Sequence, residues 1–242
     1  MDLREHHLNL LLERERTNSS MGTFQMAISI ILCLVIGYCF GCISTAYFVG
    51  KLYNIDIRKE GSGNLGSTNA LRTLGIKAGI MTFVGDIAKS FLPILVVRYI
   101  IFSNNTELGI VMALWLGLGT VLGHNFPFWL HFKGGKGIAV TAAVVLGIAH
   151  WQLIVIGLLL FIVIVAVTKY VSLGSLVVAF YLPISAIVWH SDSPYFVHML
   201  IVSFLFTLLA FVQHRANIVR LLHGNEHKLG EKKEQVSINT KK

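Results

Sequence analysis

Charge is scarce in this chain. Asp, Glu, Lys and Arg make up 13% of its 242 residues, against about 25% in an ordinary soluble domain. With 55% hydrophobic residues and a mean hydropathy of +0.70, that deficit excludes a soluble globular protein and points to a single-domain integral membrane protein. The net charge is +8, but the basic residues are scattered over loops between apolar runs, so nucleic acid is excluded as a partner. They read instead as orientation signals and anion ligands. Cysteine is nearly absent. Cys33, Cys39 and Cys42 all fall in the first apolar run, where pairs along one helix are geometrically poor for a disulfide. They read as small buried apolar residues with no metal or redox role. No cleavable signal pattern opens the chain. Met1–Ser20 is polar apart from Leu8, Leu10, Leu11 and Leu12; it reads as a short surface helix or as an upstream extension, with Met21 a second candidate start.

Apolar sequence of membrane length is abundant. A membrane helix needs roughly 20 apolar residues, and seven candidates follow, at about 24–50, 77–102, 108–130, 137–149, 152–168, 172–189 and 195–213. The expected fold is an all-α polytopic membrane protein with seven transmembrane helices. The fourth is the weakest, because about 13 residues rise only about 20 Å. Parity speaks for it: without it, the polar segments at 61–69 and 214–217 would face opposite sides. The loops Ser103–Glu107, His150–Gln152 and His190–Pro194 hold no Lys or Arg, so the positive-inside rule puts the N-terminus outside and the C-terminus in the cytoplasm. Residues 24–230 form the membrane domain, between an extension at 1–23 and a basic, disordered tail at 231–242.

Three polar islands interrupt the apolar runs. The first, Gly61–Asn69, has three glycines for tight turns, donors in Ser62, Ser67, Thr68 and Asn69, and Arg72 one turn on. The second, Lys133-Gly134-Gly135-Lys136-Gly137, can neutralise a phosphate at the start of the next span, where the helix dipole also favours an anion. The third is His214-Arg215-Ala216-Asn217, with His214 and Asn217 on one helical face. Such a pair can hold a polyol hydroxyl. Ordinary flexible loops, and a basic stub lying on anionic lipid through Arg215, Arg220 and Lys228, are the structural alternatives. Asp86 and Lys89, three apart inside the second span, either pair with each other or support the site. His124 reads as packing or as a support for the second island.

Several chemistries are missing. Gly137 stands where a nucleotide P-loop needs Ser or Thr, and no strand precedes it. None of the ten histidines has Asp five positions on, so a His-x4-Asp general base is absent. No serine or cysteine nucleophile has a base beside it. An aspartate-rich metal motif, as in alcohol phosphatidyltransferases, is missing too. No repeat appears and the phosphate-type motifs lie at one surface, whereas transporters of phosphorylated solutes commonly bind at midplane between repeats.

The stretches GSGNLGSTNALR, GHNFPFWLHFKGGKG and HRANIVRLLHGNE closely resemble, in order and placement, the three signature motifs of the membrane glycerol-3-phosphate acyltransferases that use acyl phosphate. The resemblance covers about 24–230; Ser67 and Val140 are its small departures. It implies transfer of an acyl group to the 1-hydroxyl of glycerol 3-phosphate, releasing inorganic phosphate and 1-acylglycerol 3-phosphate, the first step of phospholipid synthesis. Ser62, Arg72 and Lys136 would hold the phosphate charge, and His214 and Asn217 the glycerol hydroxyls. Lys133, Gly134, Gly135 and Gly137, with Thr68 and Asn69, would cradle the acyl phosphate; Gly63, Asn64 and Glu226 complete the binding set. Asp86, Lys89 and His124 would support it. The resemblance further implies no metal, cofactor or acyl-enzyme, a monomer in the bacterial inner membrane with its active site facing the cytoplasm, an acyl groove open to lipid, and coupling to an acyl-phosphate-forming enzyme.

Overall fold

The computed structural model describes residues 3–148 and 150–230, and the tail expected beyond 230 lies outside them. Ten α-helices follow one another among the described residues: α1 (Leu3–Gly41), α2 (Thr45–Leu52), α3 (Ser67–Leu74), α4 (Ile76–Val96), α5 (Thr106–Asn125), α6 (Ile138–Ile148), α7 (Trp151–Thr168), α8 (Val171–His190), α9 (Phe196–Gln213) and α10 (Arg215–Leu222). Six stretches are long and apolar enough to cross a membrane, at Gly22–Leu52, Ile76–Ile101, Thr106–Leu130, Trp151–Thr168, Val171–His190 and Phe196–Gln213. Lipid offers no hydrogen-bond partners, so a segment that crosses it must close its own backbone bonds, as a helix does. On α7, Leu158, Leu159, Ile162, Val163 and Val167 are each at least half exposed, the outward apolar face that contact with acyl chains requires.

The expected first span is not one helix. It breaks at Gly41–Ser44, where Ser44 takes extended backbone (φ −84°, ψ 95°), and resumes as α2. Carbonyls freed by the break find side-chain donors. Trp129 Nε1 donates to Cys42 O at 2.8 Å, and Lys89 Nζ to Ile43 O at 2.8 Å. Irregular backbone at membrane depth is tolerated only where protein satisfies it in this way. The cysteines are free; Cys33 and Cys42 are buried, whereas Cys39 is exposed.

α1 and α5 pack with their backbones touching. Gly37 and Gly41 face Gly119 and Gly123, and a Cβ at any of the four would collide with a carbonyl of the opposite helix: Leu116, Thr120, Leu34 or Tyr38. Small residues four apart on both helices let membrane helices approach this closely. Tyr38 Oη donates to Phe126 O at 2.8 Å and fixes the end of α5.

α6 corresponds to the weak fourth candidate. Its 11 residues rise about 16 Å, short of a hydrocarbon core of about 30 Å. Arg98, in the π-helical turn Val97–Ile101 that follows α4, donates to Gly147 O at 2.7 Å. It thereby satisfies a carbonyl left open by the helix end. His150 is extended, and α7 starts anew at Trp151.

The helices have two distinct ends. At one, Ser193 Oγ donates to Glu107 Oε2 at 2.6 Å, and the rings of His150 and His190 lie 5.7 Å apart. At the other, the Leu229 amide donates to Lys169 O at 2.7 Å, and Ser172 Oγ donates to Glu226 Oε1 at 3.0 Å. α7 therefore runs from the first end back to the second.

Candidate active site

The first island is shaped from within. Gly61 (φ 60°) and Gly63 (φ 69°) take left-handed backbone, and a Cβ on Gly61 would strike Asn69 Oδ1. Asn69 is buried. Its Oδ1 accepts from Ser62 N at 2.9 Å and Ser62 Oγ at 3.2 Å, and its Nδ2 donates to Glu60 O at 3.1 Å. Its amide is thus engaged by the 60–62 turn, holding that turn closed instead of facing outward as an anion ligand. Arg72, one turn along α3, makes no hydrogen bond or ion pair among the described residues, and its guanidinium stays open to a ligand.

The second island folds back along the end of α5. Gly134 N donates to Asn125 O at 3.1 Å and Gly135 N to His124 O at 3.0 Å, so two loop amides that could have met an anion are spent on docking the loop. Gly137 is left-handed (φ 80°) and starts α6. Lys136 points inward, and its Nζ donates to Asn217 Oδ1 at 2.6 Å. Asn64 Nδ2 reaches Gly134 O at 3.4 Å, joining the first island to the second.

The third island closes the group. α10 follows α9 with only His214 between them. Asn217 Nδ2 donates to Glu226 Oε1 at 2.6 Å, and Arg220 Nε donates to Glu226 Oε2 at 2.7 Å. Arg220, read from sequence as a lipid-surface residue, is therefore an internal partner. Ser172 on α8 supplies Glu226's other donor; no sequence signal marked it, because it is one serine in an apolar span. His214 Nδ1 lies 2.8 Å from Ala210 O. A carbonyl only accepts, so Nδ1 carries the proton and Nε2 is left as an acceptor.

Burial sets the protonation states. It pushes Lys136 down to about 8, helped by the charges of Arg220 and Arg72 and opposed by Glu226. His214 is pushed down to about 4, by burial first and then by the Lys136 charge, so its ring is neutral at physiological pH. Burial works against ionisation of Glu226, but hydrogen bonds from Asn217, Arg220 and Ser172 outweigh it and hold the carboxyl below its ordinary range. Glu226 neutralises Arg220. Arg72 and Lys136 remain without a carboxylate partner among the described residues, a pair of cations suited to phosphate.

These groups line one end of a cavity of about 570 Å³. Ser62, Asn64, Thr68, Asn69, Arg72, Lys136, Gly137, His214, Asn217 and Glu226 all border it. Gly63, Lys133, Gly134 and Gly135 do not, and Lys133 is exposed. Beyond the polar end the wall is apolar, formed by residues such as Val145, Leu158, Phe161, Leu182 and Phe206. Ser172 and His190 both line it, and helix rise separates them by about 27 Å along α8. Asp86 and His124 also border the cavity, and Lys89 pairs with Asp86 at 2.9 Å behind it.

Membrane-length helices surround a long, largely apolar cavity whose polar end carries Arg72 and Lys136, the build of an integral membrane protein with one cationic end to its cavity. The comparisons with known proteins make the class definite. Residues 31–224 match the family model for glycerol-3-phosphate acyltransferase, and the chain belongs to that family and is an acyltransferase. It is 42% identical over 208 residues to a glycerol-3-phosphate acyltransferase of Clostridioides difficile (strain 630), covering 85% of this chain and 98% of that one. It is 42% identical over 207 residues to one from Thermoanaerobacter sp. (strain X514), covering 84% and 98%. Its fold resembles the crystal structure of PlsY (YgiH), an integral membrane glycerol 3-phosphate acyltransferase, in its glycerol 3-phosphate form, with a TM-score of 0.71, 34% identity and coverage of 84% of this chain and 96% of that one.

Proposed function

We propose that this protein transfers a fatty acyl group from acyl phosphate to the 1-hydroxyl of sn-glycerol 3-phosphate, giving 1-acyl-sn-glycerol 3-phosphate and inorganic phosphate. The observation that carries the reading is the convergence of Arg72, Lys136 and His214 at the polar end of a cavity that is otherwise apolar. Two phosphates and one acyl chain need that combination. A neighbour of this fold was solved in a glycerol 3-phosphate form and a lysophosphatidic acid form, which supports the same acceptor and product here.

In this reading, Arg72 and Lys136 bring two anions together and hold them for reaction, the main contribution the protein must make. The His214 Nε2 lone pair accepts a hydrogen bond from a glycerol hydroxyl and aims it. The 1-oxygen attacks the acyl carbonyl, a carbon–oxygen ester bond forms, and the carbonyl–oxygen bond to phosphate breaks. A proton acceptor is needed for the hydroxyl. His214, with a pKa of about 4, is a weak base for that task. A phosphate group, whose second pKa is about 6, is the stronger one, so the leaving phosphate takes the proton and departs as hydrogen phosphate. The acyl chain lies in the apolar cavity.

The six long helices and short α6 make seven crossings, since α6 leaves the island end and α7 returns to it. The islands face the cytoplasm of a bacterial cell, in its inner membrane. The protein works as a monomer and receives acyl phosphate from the enzyme that forms it. The test uses purified protein in detergent with labelled glycerol 3-phosphate, offered palmitoyl phosphate, palmitoyl-CoA or an acyl carrier protein thioester, with and without EDTA. Lysophosphatidate formed from palmitoyl phosphate alone and unaffected by EDTA is expected; transfer only from a thioester would overturn the donor assignment.

A further inference from the structure

Behind the cavity, Asp86, Lys89 and His124 form a buried polar chain that the transfer chemistry leaves unused. Lys89 Nζ donates to Ile43 O at 2.8 Å, lies 2.9 Å from His124 Nδ1 and forms an ion pair with Asp86 Oδ1 at 2.9 Å, which in turn stands 3.7 Å from His124 Nδ1. With a carbonyl and a carboxylate as its other neighbours, Lys89 is an ammonium, which has three donors and no lone pair. The imidazole must therefore accept at Nδ1, and its own proton sits on Nε2. This is the tautomer opposite to that of His214.

The Nε2–H is aimed at the second island. A Cβ on Gly135 would collide with His124 Nε2, while the backbone carbonyl of His124 accepts from Gly135 N at 3.0 Å. His124 is 6% exposed and borders the same cavity as Lys136 and Gly137. Its Nε2 makes no hydrogen bond among the described residues. A nearly buried donor, oriented from behind and lacking a protein acceptor, is matched to a ligand oxygen.

We propose that His124 Nε2–H donates a hydrogen bond to a phosphoryl oxygen of the bound acyl phosphate, with Lys89, itself held by Asp86, as the positioning residue that fixes the ring's tautomer. The assignment rests on the acyl-phosphate reading above. It also gives Gly135 a reason to be glycine, since any side chain there would cover the donor.

The test compares His124→Gln with His124→Asn. Glutamine places an N–H near the Nε2 position, whereas asparagine can keep only the contact at Nδ1. Initial rates are measured with palmitoyl phosphate and glycerol 3-phosphate varied separately. Expected is a rise of about 10- to 100-fold in KM for palmitoyl phosphate in His124→Asn, with KM for glycerol 3-phosphate nearly unchanged and His124→Gln within about fivefold of wild type. Equal losses in both variants, or a rise confined to glycerol 3-phosphate, would overturn the proposal. A second measurement needs no variant: histidine nitrogen NMR of the full wild-type chain. Expected is one ring protonated at Nε2 alone across pH 6 to 8, whose Nε2–H signal moves on addition of inorganic phosphate. Absence of such a ring, or one indifferent to phosphate, sinks the assignment. Wild-type protein inert with palmitoyl phosphate would overturn the donor reading instead, and the NMR response would still decide the role of His124.

Discussion

Lys136 and Asn217, 81 positions apart in the chain, are joined by a 2.6 Å hydrogen bond from Nζ to Oδ1. Asn217 passes the connection on, because its Nδ2 donates to Glu226 Oε1. The ammonium is thus aimed by an amide that is itself aimed by a carboxylate. Asn217→Ala should release Lys136 and take one of the three donors from Glu226, leaving Ser172 and Arg220 on the carboxylate. The expected result is a fall in kcat/KM of about 10- to 100-fold, the scale of losing a hydrogen bond to a charged group. Steady-state kinetics in detergent checks it; wild-type values would show that Lys136 needs no such aim.

Arg72 makes no hydrogen bond or ion pair among the described residues, so its loss should separate function from stability. Arg72→Ala is expected to lower kcat/KM tens- to thousands-fold, from about 2–5 kcal/mol of lost charge pairing. Its melting temperature should stay at the wild-type value. A large drop in that temperature would assign Arg72 to the fold instead.

Glu226 makes the opposite case. Three donors converge on it, from Ser172, Asn217 and Arg220. Glu226→Ala leaves them without an acceptor and should destabilise the fold by about 1–3 kcal/mol, seen as a lower melting temperature in detergent. Glu226→Gln, which keeps an acceptor oxygen, should lose less.

The pH dependence has a definite sign. Lys136, pushed down to about 8 by burial, is a cation below that value and neutral above it. In the proposed reaction that charge binds phosphate, so kcat/KM should decline as pH rises through about 8. His214, down at about 4, stays neutral and adds no inflection between pH 5 and 8. Lys136→Arg keeps its charge throughout this range and should abolish the alkaline decline, whatever its absolute rate. A rate profile from pH 5 to 10 decides; persistence of the decline in Lys136→Arg would assign it to another group.

The α1–α5 contact should tolerate no added volume. Gly123→Val would drive a side chain into Tyr38 O and push α1 away from α5, on whose end the second island docks. Overpacking of this kind costs about 1–3 kcal/mol, so lower thermal stability and lower activity should appear together. A stable, fully active variant would mean that the close approach is dispensable.

Sequence by itself determined what local composition can encode. Long apolar runs cannot be accommodated in water, so the membrane class and the helical fold followed from hydropathy. The three islands, the Asp86–Lys89 pair and the family were legible because their residues lie close together in the chain. Tertiary structure decided which of those residues border the cavity and which are engaged by their own loops. Asn69 and the amides of Gly134 and Gly135 read as anion donors, yet they are consumed by the turns they close. Ser172 and Arg220 carried no catalytic signal, yet they hold Glu226. The break at Gly41–Ser44 was invisible because its exposed carbonyls are satisfied by Trp129 and Lys89, from segments far along the chain. Each of these is a matter of hydrogen-bond pairing across sequence-distant elements, and a donor's partner exists only once the helices have packed.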